Sequence, residues 1–262
     1  MRTYPIILAH GIARFDALWR WALRDPDLAG WAHYFRNVRG CLRDAGFDAR
    51  HASVGWAESL ADRSRSLRRQ VDTVLQGADK VHIVAHSMGG LDARRMLLDG
   101  RAGGLHRRVA SLTTLGTPHR GSPVADFVMK WLPCLLRVGE GVGDLTTTAC
   151  EALNAESEEF ERSCGVRMRA WAGVQPLRRI MWPLVPAWLV VRAAEGSNDG
   201  LVSVQSATWS EDRFAGTVDA DHFNLCGWWD PAERAGREET ETRLKGLYLE
   251  IAEELAAEFP AP

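Results

Sequence analysis

A serine hydroxyl attacks a carbonyl near neutral pH only when a base removes its proton and a third group orients that base. The stretch Lys80-Val81-His82-Ile83-Val84-Ala85-His86-Ser87-Met88-Gly89-Gly90 leads from a β-branched run into the helix-compatible Leu91 to Leu98. Strand, tight turn and helix lift a serine above a sheet edge, and small residues two before and two after it permit the close approach. Ala85 and Gly89 fill those places, with alanine where glycine would be roomier. Ser87 is therefore the candidate nucleophile, against the plainer reading of a structural turn serine.

Among eight histidines, His86 adjoins Ser87 but leaves the turn in another direction, His82 lies within the strand, and His33, His51 and His106 have ordinary polar or helical surroundings. His222 differs. It sits in Asp219-Ala220-Asp221-His222-Phe223-Asn224-Leu225, just before a closing helix, where a loop can fold back over the strand tops. Of the carboxylates upstream, Asp199 stands in the turn-forming Ser197-Asn198-Asp199-Gly200. Asp219 and Asp221 are so near His222 that they read as loop anchors. The candidate base and orienting acid are His222 and Asp199. Negative charge on the attacked oxygen needs fixed backbone donors. One is the N–H of Met88, at the start of the following helix; the other belongs to the loop after the first strand, Ile6 to Asp16, with Gly11 at its sharp turn.

These groups need a frame. Strands are expected at Tyr4–Ala9, Arg50–Val54, Lys80–Ala85, Val109–Leu115 and Val166–Trp171, alternating with helical patterns, which implies a mostly parallel sheet covered by helices. Leu60, Leu67, Val71, Val74 and Leu75 make one helix face, leaving Arg63, Arg65, Arg68 and Arg69 to water, and a last helix is expected over Glu233–Glu258. Two segments are unusually apolar: Pro123–Arg137, with Phe127, Trp131, Leu132 and Leu135, and Pro183–Val191, with Trp188. Both read either as core helices or as a movable cover over an apolar site.

With 262 residues, 46% of them hydrophobic, and no repeat or linker, one domain over 1–262 is expected, with cover segments at about 123–160 and 176–194. A net charge of -2 removes the whole-chain signature of a nucleic-acid binder. The apolar stretches are too short and too proline-broken for a transmembrane anchor. No signal peptide is read at the start, so a cytoplasmic location is the default expectation and a trimmed secreted form the alternative. Cys41, Cys134, Cys150, Cys164 and Cys226 lie far apart, and free thiols are expected.

His10-Gly11, Ala85-His86-Ser87-Met88-Gly89-Gly90, Gly116-Thr117-Pro118-His119-Arg120-Gly121-Ser122, Ser197-Asn198-Asp199-Gly200-Leu201-Val202 and Asp221-His222 occur in this order across most of the chain. On these blocks the sequence resembles the bacterial triacylglycerol lipases and related esterases of the α/β-hydrolase superfamily, whose nucleophile, acid, histidine order matches Ser87, Asp199, His222. The resemblance implies an α/β-hydrolase fold, oxyanion N–H groups from Ile12 and Met88, and a lid in the apolar segment after Ser122. Many secreted members hold calcium through aspartates, one some twenty residues before the catalytic acid and one two after the histidine. Here Asn224 holds the second place and no aspartate lies between Trp171 and Asn198, so no such calcium site is expected.

The expected activity is cofactor-free hydrolysis of a lipid-like or other apolar acyl ester through an acyl-enzyme, with a lipid–water interface as a possible partner. The same parts would serve a thioesterase, phospholipase or acyltransferase. A non-catalytic lipid-binding relative is the remaining alternative.

Overall fold

The computed structural model describes residues 3–12, 34–35, 37–56, 58–131, 140–228 and 237–261. Six strands, β1 (Ile6–Ala9), β2 (Ala49–His51), β3 (Val81–His86), β4 (Val109–Leu115), β5 (Arg167–Gly173) and β6 (Phe214–Val218), form one all-parallel sheet in the order β2-β1-β3-β4-β5-β6. Among the described residues the helices are α1 (Val38–Asp44), α2 (Leu60–Val74), α3 (Met88–Asp99), α4 (Pro123–Trp131), α5 (Thr147–Ser163), α6 (Val185–Ala194), α7 (Val204–Ala207) and α8 (Arg237–Glu258).

Every residue of β1, β3 and β4 is buried, as a parallel sheet covered on both faces requires. Side chains alternate between the faces. Ile6, Leu8, Val84 and Leu115 join Leu42 of α1 and Leu244, Ile251 and Leu255 of α8. Ile7, Ala9, Ile83 and Leu112 meet Leu67 and Val71 of α2 with Ala93 and Leu97 of α3. The strand tops between these layers carry the loops that hold the site.

Several elements differ from expectation. Strand β2 ends at His51 because the Ser53 amide donates to Gln70 Oε1 and that of Val54 to His10 Nε2. Strand β6 was not expected at all. It is a half-exposed edge strand of five residues, and Gly216 interrupts its pattern at φ 151°. Arg63 does not face water: its side chain is fully buried, because Asp92 and two backbone carbonyls supply its partners. Helix α8 is described from Arg237 and α4 as far as Trp131; residues 229–236, where the last helix is expected to start, and 132–139, with Leu132 and Leu135, lie outside the described residues. A 3-10 turn, Trp182–Leu184, leads into α6, which packs against α4. Cys41, Cys150, Cys164 and Cys226 are free thiols; Cys134 is outside the described residues.

Candidate active site

Strand β3 ends at His86 and α3 begins at Met88, so Ser87 alone makes the turn. Its backbone stands at φ 56°, ψ -135°, a region that costs a non-glycine residue about 1–3 kcal/mol and persists only where the surroundings enforce it. Two glycines make the turn sterically possible. A Cβ on Gly89 would sit 2.5 Å from the Ala9 carbonyl oxygen, and one on Gly11 would sit 2.6 Å from Ser87 Cβ. The buried Ala85, inside β3, is accommodated where a glycine is more usual.

From the far end of the sheet, two loops bring the other groups. His222 Nε2 lies 2.9 Å from Ser87 Oγ, and His222 Nδ1 lies 2.8 Å from Asp199 Oδ2. All three residues are buried. The loop of Asp199 is fixed by its own side chains: Asp199 Oδ1 accepts the N–H groups of Leu201 and Val202, and Asn198 Oδ1 accepts that of Gly200, which is at φ 108°. The His222 N–H donates to the Asp199 carbonyl at 2.7 Å, so the two loops are joined by backbone as well as by side chains. Gly116, at φ 56°, leaves the space they share, since its Cβ would lie 2.9 Å from Asp199 Oδ2.

Asp221 is the anchor its position suggests. Its carboxylate accepts the N–H groups of Phe223 and Asn224 in its own turn and of Met181 in a distant loop. Burial pushes its carboxyl up to about 6. Asp219 instead pairs at the surface with Arg179 and Arg243.

The His10-Gly11 loop is held from behind. Val54 N–H donates to His10 Nε2, which leaves Nδ1 to carry the proton toward the Gly11 carbonyl, 2.8 Å away. Arg63 Nη2 donates to the His10 carbonyl at 2.8 Å, Nη1 donates to the Gly55 carbonyl, and Nε and Nη2 form a forked pair with Asp92 of α3. Burial drives the Asp92 carboxyl up, and Arg63 opposes it. His86 Nδ1 lies 2.8 Å from Tyr34 Oη, and its ring lies 4.5 Å from that of His222. Burial, then the neighbouring His222, holds His86 well below the usual imidazole range, so the neighbour of His222 stays neutral. No hydrogen bond among the described residues uses the N–H of Ile12 or Met88.

A cavity of about 350 Å³ opens on Ser87 and His222. Ile12, Val124, Val128, Val142, Leu145 and Val202 give it an apolar wall with no carboxylate, lysine or arginine among its lining residues. Its volume lies in the range of small-ligand sites, about 300–1,000 Å³. The α4 face toward it is Val124, Ala125 and Val128; Phe127 and Trp131 are exposed and do not line it. Trp188 packs on the main core cluster and its indole N–H donates to the Gln175 carbonyl, which places it outside the cavity.

Asn224 does not fit a calcium ligand. Its Oδ1 accepts the Asp221 N–H and its Nδ2 donates to the Trp228 carbonyl, so both ends of the amide tie the turn together. Among the described residues no cluster of His, Cys, Asp or Glu could hold a metal ion.

Sequence reasoning missed Arg63 and Tyr34, described above, and Thr117, whose hydroxyl donates to the Ser87 carbonyl at 2.7 Å, as neighbours of the triad. Arg63 was hidden among surface arginines of one helix, and its partner Asp92, five residues after Ser87, was the available signal. Thr117 lies within a motif singled out above but given no task there.

Residues 57–132 match the family described as a PGAP1-like alpha/beta domain. The chain is 28% identical over 252 residues to Triacylglycerol lipase 2 of Saccharomyces cerevisiae, covering 85% of this chain and 73% of that one. It is 36% identical over 137 residues to a triacylglycerol lipase of Pseudarthrobacter phenanthrenivorans, covering 49% of this chain and 37% of the relative. For the Pseudomonas fragi triacylglycerol lipase the identity is 30% over 157 residues, 57% of this chain and 46% of the other. The chain thus spans less than half the length of these two bacterial relatives. In fold it resembles the metagenomic carboxyl esterase MGS0156 (TM-score 0.75, 18% identity, 98% and 76% of the two chains) and the mature Bacillus licheniformis lipase BlEst2 (TM-score 0.65, 22% identity, 84% and 85%).

Proposed function

We propose, from the premise that this chain belongs to the lipase and esterase family of the α/β-hydrolases, that it hydrolyses apolar carboxylic esters with Ser87 as nucleophile, His222 as base and Asp199 as the acid that orients it. One observation carries this reading: an unbroken line of contacts, 2.8 Å from Asp199 to His222 and 2.9 Å from His222 to Ser87, ends in an apolar cavity.

Ser87 Oγ bonds to the ester carbonyl carbon as its proton passes to His222 Nε2, and the carbonyl oxygen becomes an oxyanion facing the N–H groups of Met88 and Ile12. Asp199, at Nδ1, stabilises the imidazolium without taking its proton. Collapse breaks the bond to the alkoxide, which leaves with the proton from Nε2. Water then attacks the acyl-serine, giving its proton to the same nitrogen, and the acid is released as Ser87 recovers its hydrogen. The uncharged walls favour the acyl group as the part held in the cavity, since burying a charge there would be costly without a partner.

Phe127 and Trp131 of α4, Trp182 and Leu189 of α6 and the turn before it are large exposed apolar side chains on two helices that pack together. They support reading segments 123–160 and 176–194 as a cover that meets a lipid surface, because exposed apolar groups gathered in one region usually mark a binding face. Among the described residues no helix is long and apolar enough to cross a membrane.

The experiment is labelling with a fluorophosphonate probe alongside hydrolysis of p-nitrophenyl esters of graded chain length. Both signals are expected in the wild type and absent in Ser87→Ala. Equal labelling of the two proteins, or a wild type that neither labels nor turns over, rejects the proposal.

A further inference from the structure

The geometry points to Thr117 as a positioning residue that aims the Met88 N–H at the oxyanion, through a hydrogen bond to the far end of the same peptide group; this inference rests on the function proposed above. The Ser87–Met88 peptide is a rigid trans unit, so its C=O and N–H point in opposite directions and turning one turns the other. Thr117 Oγ1 donates to the Ser87 carbonyl oxygen at 2.7 Å. The second acceptor site of that oxygen is taken by Gly90 N–H at 3.1 Å, while the Ser87 N–H donates to the Leu115 carbonyl at 3.0 Å. Only the Met88 N–H faces away from this clamp, toward the side where the substrate oxygen would lie.

Thr117 is itself immobilised. It is 1% exposed, its carbonyl accepts the His119 N–H, and the preceding Gly116 N–H is tied to Trp171 of β5. The hydroxyl is therefore delivered from the end of β4 with the sheet behind it. Gly90 explains the second glycine after the nucleophile: a Cβ there would sit 2.3 Å from Thr117 Oγ1 and 2.7 Å from its Cγ2. Glycine at 90 thus admits the threonine to the first turn of α3. Donation to the carbonyl also polarises the peptide, which makes the opposite N–H a better donor.

Thr117→Val keeps the branched shape and deletes the hydroxyl; Thr117→Ser keeps the hydroxyl. With a p-nitrophenyl ester, Thr117→Val should lower kcat at least about tenfold, short of the ~10²–10³ seen when an oxyanion donor is removed outright. KM should stay within about twofold, since the bond is spent on the transition state and not on substrate binding. Thr117→Ser should recover most of the lost kcat. Gly90→Ala, which pushes the hydroxyl away while leaving it in the chain, should show the same selective loss, and the double variant Gly90→Ala/Thr117→Val should be no worse than the poorer single. It also serves if Thr117→Val does not fold. The inference is overturned by a soluble Thr117→Val or Gly90→Ala with kcat within about twofold of wild type, or by Thr117→Ser no better than Thr117→Val, which would assign the side chain a packing role. If wild type and Ser87→Ala turn over alike, the functional proposal itself fails and takes this inference with it.

Discussion

Asp199 divides its carboxylate between two tasks, and the division predicts what an amide would do there. Oδ1 is occupied by the N–H groups of Leu201 and Val202, while Oδ2 faces His222 Nδ1. In Asp199→Asn the amide oxygen can keep the loop contacts, which turns the NH2 toward the imidazole. A donor facing Nδ1 selects the tautomer with its proton on Nε2, and that nitrogen can no longer accept from Ser87. The expected result is a folded protein with kcat lowered by about 10⁴, by analogy with serine proteases, and a melting temperature close to wild type. Stopped-assay rates with a thermal melt check it; a loss below about tenfold would remove Asp199 from its proposed role. At this scale the sequence is most legible where local chemistry forces a conformation. Ser87 is flanked by residues only a sharp strand-to-helix turn needs, and Asn198-Asp199-Gly200 states its own turn. His86 and Tyr34 are illegible for the opposite reason, since they stand 52 positions apart in sequence and meet only in the folded chain.

Helices α2 and α3 are locked together by the Arg63–Asp92 pair, whose side chains are 0% and 1% exposed. Such a pair repays its desolvation only while both members are present. Arg63→Met should strand a buried carboxylate and cost about 3–5 kcal/mol, whereas Arg63→Met/Asp92→Leu should regain most of that loss. Urea unfolding of the two variants measures it, and equal stability of single and double would show that the charges are not coupled. The same lock explains where element prediction succeeds. The apolar stripe of α2 is periodic, and its start is fixed by Ser59, whose hydroxyl accepts the Asp62 N–H, so the helix reads from the sequence. Its polar face carries no mark that one arginine of four turns inward. The edge of the sheet fails for a related reason: β6 alternates half-buried and exposed residues without a β-branched run, and only pairing with β5 makes it a strand. The apolar pattern over α4 marks a helix, yet which side meets the cavity depends on α6 and the 140–145 turn.

Across the whole molecule, the closure of the sheet from below depends on a histidine that chemistry at the strand tops does not use. His82 Nε2 lies 2.9 Å from Thr3 Oγ1 and Nδ1 lies 2.8 Å from Ser111 Oγ, with the Phe259 ring 5.6 Å away. Thr3 also bridges to Pro260, so both chain segments seal over this imidazole. Burial, with a smaller contribution from Arg167, lowers the His82 pKa from 6.5 to about 4. The folded state thus holds the ring neutral where the unfolded chain would protonate it. Stability from this site is complete above pH 6.5 and is lost as the pH falls toward about 4, because the unfolded state then binds the extra proton. Asp221 acts in the reverse sense: its carboxyl, raised to about 6, takes a proton in the folded state first and favours folding as the pH drops. The two partly cancel in the wild-type curve, so only a comparison of variants isolates His82. His82→Gln keeps hydrogen-bonding groups at the position and cannot titrate. Between about pH 6 and 4.5 its unfolding free energy should fall less steeply than that of wild type, by about 1 kcal/mol per pH unit. Urea midpoints across a pH series give both slopes, and parallel curves would mean that His82 carries its proton equally well in the folded and unfolded chain.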